Sequence, residues 1–151
     1  MAQKLIDLYS LVGNQDSDLK IISNTYIKKG EVIKKISLVS SPQSFATVQS
    51  GLNEHILDEM LAATNHSCSP NSFVDFTKEQ IIAERDIAPG EEITFFYPST
   101  EWRMVRPFQC MCGSPNCIGT ISGAENLPIR LFKNYKFNRH IKQKIIEMML
   151  F

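Results

Sequence analysis

The sequence predicts a mostly β fold of small curved sheets with few short helices and a helix at the C-terminus. Three observations lead there. The apolar runs are short, turn residues interrupt them repeatedly, and helical spacing shows clearly in only two places. A chain of 151 residues with 43% hydrophobic and 21% charged side chains suits one folded domain with its own core, and argues against disorder.

In chain order, Leu19–Ile36 reads as two short strands around a turn at Lys28-Lys29-Gly30, with Val32, Ile33, Ile36 and Leu38 as the β-branched and apolar content. Ser40-Ser41-Pro42 breaks the chain. Phe45–Gln49 reads as a strand ended by Ser50-Gly51, and His55–Ala63 as one short helix carrying Ile56, Leu57, Met60 and Leu61. Phe73–Phe76 and Gln80–Glu84 form a hairpin around Thr77-Lys78-Glu79. After Pro89-Gly90 comes the strongest strand, Glu91–Tyr97. Its alternation puts Ile93, Phe95 and Tyr97 on one face, with Thr94 and Phe96 on the other. A helix near Arg139–Leu150 carries an apolar stripe of Ile141, Ile145, Met148 and Met149. The stripe is expected to pack into the core, with a homodimer contact as the alternative.

Charge excludes some function classes. Sixteen basic and sixteen acidic residues cancel, which argues against direct nucleic-acid binding. The balance is uneven: residues 126–151 hold six basic side chains against Glu147 alone, a net of +5 that the rest of the chain offsets. That reads as a solvated helix face or a contact for an acidic surface. No apolar run approaches the roughly 18–20 residues of a membrane span, and MAQKLIDLYS lacks the unbroken apolar stretch of a secretory signal. The expected location is the cytoplasm or nucleus, where thiols stay reduced.

The four cysteines are the sharpest chemical signal. Cys110-Met111-Cys112 and Cys117 put three thiols within eight residues, with a turn-forming stretch from Gly113 to Asn116 between the second and third. Thiolates bind zinc at about 2.3 Å, and structural sites are usually closed tetrahedra of four ligands. The remaining cysteine, Cys68, is the natural fourth ligand. Such a zinc is structural, since four cysteines leave no open position. Buried free thiols and disulfides are the competing readings.

Asn65-His66-Ser67-Cys68-Ser69-Pro70-Asn71, then Gly90-Glu91-Glu92-Ile93-Thr94-Phe95-Phe96-Tyr97, then the cysteine cluster resemble three successive motifs of SET-domain protein-lysine methyltransferases with a post-SET zinc segment. The clear resemblance covers residues 64–123, and residues 21–33 look like the family's first strand pair. It implies a β-clip fold, in which the first two motifs form a pseudoknot beside the active site. It divides the chain into a SET domain (1–108), a zinc-binding post-SET segment (109–123) and a C-terminal helical extension (124–151), packed as one unit. It implies S-adenosylmethionine as methyl donor and the lysine of a protein substrate as acceptor. Tyr97 falls on the catalytic tyrosine, Asn65, His66 and Tyr97 on cofactor-binding positions, and Met111 on a position that packs near the adenine. Phe95 falls on a substrate-channel position where phenylalanine or tyrosine sets the number of methyl groups transferred.

These residue types suit the chemistry. Methyl transfer from sulfonium to amine is an in-line displacement that needs alignment more than acid–base power. A lysine ammonium must first lose its proton, which a narrow apolar channel beside a positive sulfonium favours. Two departures weaken the resemblance. Asp18 and Lys20 stand where the family has a Gly-x-Gly, with Gly13 too early, and Ala62 replaces an arginine. A SET-fold zinc module that binds protein without catalysis is therefore the alternative. His55 and His140 receive no role, and Trp102 is expected to pack.

Overall fold

The computed structural model describes residues 7–14 and 18–150. Eleven short strands and two α-helices are seen among them. β1 (Tyr9–Val12) pairs antiparallel with β2 (Lys20–Ser23). Beyond the turn at Lys28-Lys29-Gly30 lies β3 (Val32–Lys35). β4 (Val48–Gly51) and β5 (Glu54–Ile56) form a hairpin. The helix α1 (Glu59–Ala63) follows, capped where the Asp58 carboxylate accepts from the Leu61 N–H. Next come β6 (Asn65–His66), the hairpin β7 (Ser72–Asp75) and β8 (Gln80–Ala83), and β9 (Glu92–Phe95). A 3-10 turn covers Tyr97–Ser99. β10 (Phe108–Gln109) and β11 (Thr120–Ile121) pair across the cysteine cluster, and α2 (Arg139–Leu150) ends the chain.

β1, β2, β9 and β6 make one four-stranded sheet in that order, and β3, β8 and β7 make a second. The two strands expected around Gly30 are therefore present but not partnered: β2 pairs with β9, and β3 with β8. A core of isoleucines joins the sheets. Ile21, Ile27, Ile81, Ile87 and Ile93 are all essentially buried, and each branched side chain withdrawn from water contributes roughly 1.5–3 kcal/mol.

Three element expectations need correction. The segment His55–Ala63 is a strand end followed by five helical residues, because Asp58 stays extended and caps the helix through its side chain, so helical backbone begins only at Glu59. The strand expected at Phe45 begins only at Val48, and Phe45 is mostly exposed. In α2 the stripe is buried only at its start. Ile141 is buried and Ile145 partly so, but Met148 and Met149 are exposed because none of the described residues packs beneath the last turns.

The C-terminal extension is tied to the body near the strand that matters most. The buried Asn138 side chain accepts from the Phe76 N–H at 2.9 Å and donates to the Val74 and Ser99 carbonyl oxygens at 2.7 and 3.0 Å. Tyr135 stacks on Phe96 with ring centroids 3.7 Å apart. Phe96 thus faces a small second core with Ala124, Leu127, Leu131 and Phe137, while Phe95 faces the main one. Close approach requires glycine at 123. Its φ is +117°, and a β-carbon there would strike the Trp102 carbonyl oxygen. The partly buried Trp102 packs on this second core as expected.

Candidate active site and metal centre

The site begins where β6 runs parallel to β9, with Asn65 opposite Thr94 and His66 opposite Phe95. Parallel neighbours need a long connection between them, and here β7 and β8 supply it. Asn71 locks the crossing. Its amide donates to the Glu92 carbonyl oxygen at 2.8 Å and its own oxygen accepts from the Thr94 N–H at 2.9 Å. Asn71 is 1% exposed, so these bonds replace water it has lost. Asn71 stands in the first motif of the sequence, where no local pattern signals this task.

Tyr97 starts the 3-10 turn rather than extending β9, yet its ring still sits 4.9 Å from that of Phe95. Its hydroxyl donates to the Thr64 carbonyl oxygen at 2.6 Å. Burial, with Glu101 and Glu92 nearby, pushes the Tyr97 hydroxyl well above the ordinary tyrosine range, so it stays protonated at neutral pH. Its backbone N–H donates to His66 Nδ1 at 3.0 Å, which leaves the imidazole proton on Nε2, 3.3 Å from Cys68 Sγ. Burial holds His66 down to about 4, and the ring is neutral. One neutral imidazole thus connects Tyr97 to the cysteine cluster.

Phe95 and Tyr97 share a cavity of about 80 Å³ with Val48, Leu61, Met104 and Glu101. Ala62 also lines it, where the family has an arginine. At its rim the Arg106 guanidinium lies 4.5 Å above the Phe45 ring. Glu101 went unnoticed in the sequence, where an acid after Ser-Thr reads as surface.

Asn65 is exposed and its amide donates to the Glu92 carboxylate at 2.8 Å and the Leu19 carbonyl oxygen at 3.1 Å. β6 is the last strand of its sheet, so beyond β9 its other edge has no strand partner among the described residues. Met111, expected near the adenine, is 89% exposed. Asp18 stands close to Gly13 in space: a β-carbon on Gly13, whose φ is +111°, would strike the Asp18 carbonyl oxygen, and the Asp18 carboxylate accepts from the Asn14 N–H at 3.0 Å. The glycine judged too early in sequence is thus folded back onto the position where one was missing.

The cysteines meet as expected. Cys68, Cys110, Cys112 and Cys117 place their sulfurs within 4.8 Å of one another, with Cys68 and Cys110 3.9 Å apart. A tetrahedron with metal–sulfur bonds of about 2.3 Å needs sulfurs about 3.8 Å apart, so small side-chain rotations would close this set. The β10–β11 hairpin delivers Cys110, whose N–H donates to the Gly119 carbonyl oxygen at 2.7 Å. Asn116 and Tyr135 both donate to the Cys68 carbonyl oxygen, at 2.8 and 2.7 Å. Burial pushes the free Cys68 thiol far up and that of Cys110 up to about 11. Cys112 is also burdened by burial, but hydrogen bonds, led by Ser114, carry it down to about 6. A dication bound in this closed cluster would hold all four sulfurs as thiolates. All four are free of disulfides.

A family model described as "SET domain" matches residues 18–98. The chain belongs to the SET-domain family. Methyltransferase flvH of Aspergillus flavus is 38% identical over 119 residues, covering 75% of this chain and 66% of that protein. The histone-lysine N-methyltransferase, H3 lysine-36 specific, of Candida glabrata is 34% identical over 126 residues, covering 72% of this chain and 18% of that protein. The SET chain thus spans less than two thirds of the length of these relatives. Among solved structures, KRYPTONITE in complex with mCHH DNA, H3(1-15) peptide and SAH superposes at a TM-score of 0.55 with 20% identity, covering 78% of this chain and 30% of that one. The methyltransferase domain of human SETMAR gives 0.55 with 16% identity, covering 76% and 58%. At such identities the likeness is one of fold, and it is the mostly β fold with a C-terminal helix that the sequence predicted. No helix among the described residues is long and apolar enough to cross a membrane.

Proposed function

We propose that this SET-domain chain transfers a methyl group from S-adenosylmethionine to the side-chain amine of a protein lysine. The observation that carries the reading is the cavity of about 80 Å³ holding both Phe95 and Tyr97 beside the β6–β9 crossing. A water molecule occupies about 30 Å³, so the space suits an amine and its neighbouring methylenes and little else. Phe95, Leu61, Ala62 and Val48 supply its apolar wall, which favours the neutral, nucleophilic amine.

S-Adenosylmethionine would supply a methyl group on a sulfonium. The residues fit it at the edge of β6 away from β9, where the N–H and C=O groups of His66 lack a further strand among the described residues and suit the polar edge of a purine. Tyr97, protonated and fixed on the Thr64 carbonyl oxygen, orients the amine without carrying charge. Phe95 excludes water from the channel and leaves room for a methylated amine to turn. Cys68, Cys110, Cys112 and Cys117 would hold one structural zinc, joining the post-SET segment to the loop after β6. Relatives named as histone-lysine methyltransferases favour a protein substrate and a nuclear location.

The test is incubation of purified protein with a methyl-labelled cofactor and histone and non-histone proteins. Label on lysine, checked by mass spectrometry, supports the enzyme. Stoichiometric zinc and a folded chain without any cofactor binding at millimolar concentration would favour the non-catalytic module.

A further inference from the structure

Glu101 is a carboxylate in an unusual place. Its backbone is fixed on both sides: its N–H donates to the Tyr97 carbonyl oxygen at 2.9 Å, and its own carbonyl oxygen accepts from the Ala124 N–H at 2.9 Å. Its Oε2 accepts from the Gln49 N–H at 3.0 Å and from the Thr100 hydroxyl at 2.6 Å. Its Oε1 makes no hydrogen bond among the described residues, and the side chain lines the same cavity as Phe95 and Tyr97. No salt bridge to Glu101 is present among the described residues. Glu101 is half-buried, and a carboxylate so far withdrawn from water normally finds a cation.

The geometry points to Glu101 as the counter-charge that draws the substrate's ammonium group into this cavity and accepts its proton before methyl transfer. The step balances: an N–H bond of the ammonium breaks, an O–H bond forms on Oε1, and a neutral amine and a neutral carboxylic acid remain. The amine lone pair then attacks the methyl carbon of the sulfonium donor while the carbon–sulfur bond breaks. The inference rests on the proposed methyltransferase reading for that second step alone.

The surroundings agree. The titratable groups near Glu101 are few. Tyr97 and Arg106 line its cavity, His140 meets the Thr100 carbonyl oxygen at 2.7 Å, and His55 stands opposite Gln49 across the β4–β5 pair. Burial lowers both histidines, so each is neutral near pH 7, and Leu61, Ala62, Val48 and Met104 bring no charge. Burial pushes the Glu101 carboxyl up to about 7, against the lowering effect of the Thr100 and Gln49 hydrogen bonds. An acceptor poised there takes a proton near neutral pH and returns it readily.

Butylamine, a mimic of the lysine side chain, is the probe, with 1-pentanol as its uncharged counterpart. Their binding is followed by NMR shifts of Phe95 and Tyr97 in the parent and in Glu101→Gln, which keeps the acceptor for Gln49 and Thr100. Butylamine should bind the parent more tightly as pH rises through about 7, and at least about tenfold more weakly to Glu101→Gln, with 1-pentanol unchanged. Equal affinity for butylamine in the two proteins, or no preference for it over 1-pentanol in the parent, overturns the inference. A measurement that needs no variant is the carbon-13 titration of the Glu101 carboxyl. Its midpoint should fall when butylamine is added, and an unchanged midpoint overturns the inference as well. Ammonium binding through Glu101 without methyl transfer to any lysine would overturn the enzyme reading and leave this site standing.

Discussion

His66 Nε2 lies 3.3 Å from Cys68 Sγ, and because Nδ1 already accepts the Tyr97 N–H, the proton between them belongs to the imidazole. A donor aimed at a metal-binding sulfur steadies its thiolate, and losing such a partner typically costs 10–100-fold in metal affinity. His66→Phe keeps a ring of similar size without either nitrogen. It is expected to surrender zinc to a competing chromophoric chelator about tenfold more readily than the parent. Equal zinc affinity in the two proteins would show that the contact is packing only.

Tyr97→Phe removes one hydroxyl and leaves the Thr64 carbonyl oxygen without its partner at 2.6 Å. The stability cost should be about 1 kcal/mol. Methyl transfer is expected to slow by at least about tenfold, or about 1.4 kcal/mol of barrier. A labelled-cofactor assay beside a denaturant titration separates the two effects. Unchanged transfer would reduce Tyr97 to a packing role.

Phe95 is 2% exposed, with its ring against Tyr97 and in the cavity wall. Phe95→Tyr adds a hydroxyl to that small space. One hydrogen bond, worth about 0.5–1.5 kcal/mol, would hold a water or the amine and hinder a methylated amine from turning. The parent is expected to give di- or trimethyllysine, and Phe95→Tyr mostly monomethyllysine, by mass spectrometry of a substrate peptide. Monomethyl product alone from the parent, under prolonged reaction with excess cofactor, would refute this assignment.

Glu101 also makes stability depend on pH. Its folded-state value, raised by burial to about 7 from 4.5, means the folded protein holds this proton more tightly than the unfolded chain. That contribution is complete below about pH 4.5 and is lost as pH rises through about 7. The difference amounts to about 3 kcal/mol at most. Subtracting the profile of Glu101→Gln from that of the parent cancels the acid loss of zinc, which both share. The difference should shift against the parent between pH 4.5 and 7 and stay level above. A flat difference in urea titrations would show that the carboxyl is hydrated.

Much of the site was legible in the sequence because its residues lie in contiguous motifs whose chemistry is local. Three cysteines within eight residues can do little but converge, and Cys68 was the one thiol left to join them. The C-terminal helix, the hairpin at Thr77-Lys78-Glu79 and the strand expected at Glu91–Tyr97, which the structure ends at Phe95, were likewise carried by short-range periodicity and turn chemistry. Other features depend on contacts between distant segments, which no local pattern encodes. Periodicity located the strands flanking Gly30, but only the tertiary structure sent them to different sheets, since pairing is chosen by which buried isoleucines fill one core. It also left Met148 and Met149 in water, because a helical stripe is buried only as far as a surface lies beneath it. Gly13 lies against Asp18 because β1 and β2 pair antiparallel, which counting along the sequence cannot follow. Glu101 reads as a surface acid until Gln49, 52 positions earlier, donates to it and Phe95, Tyr97 and Met104 surround it, for burial is a property of neighbours and not of residue type.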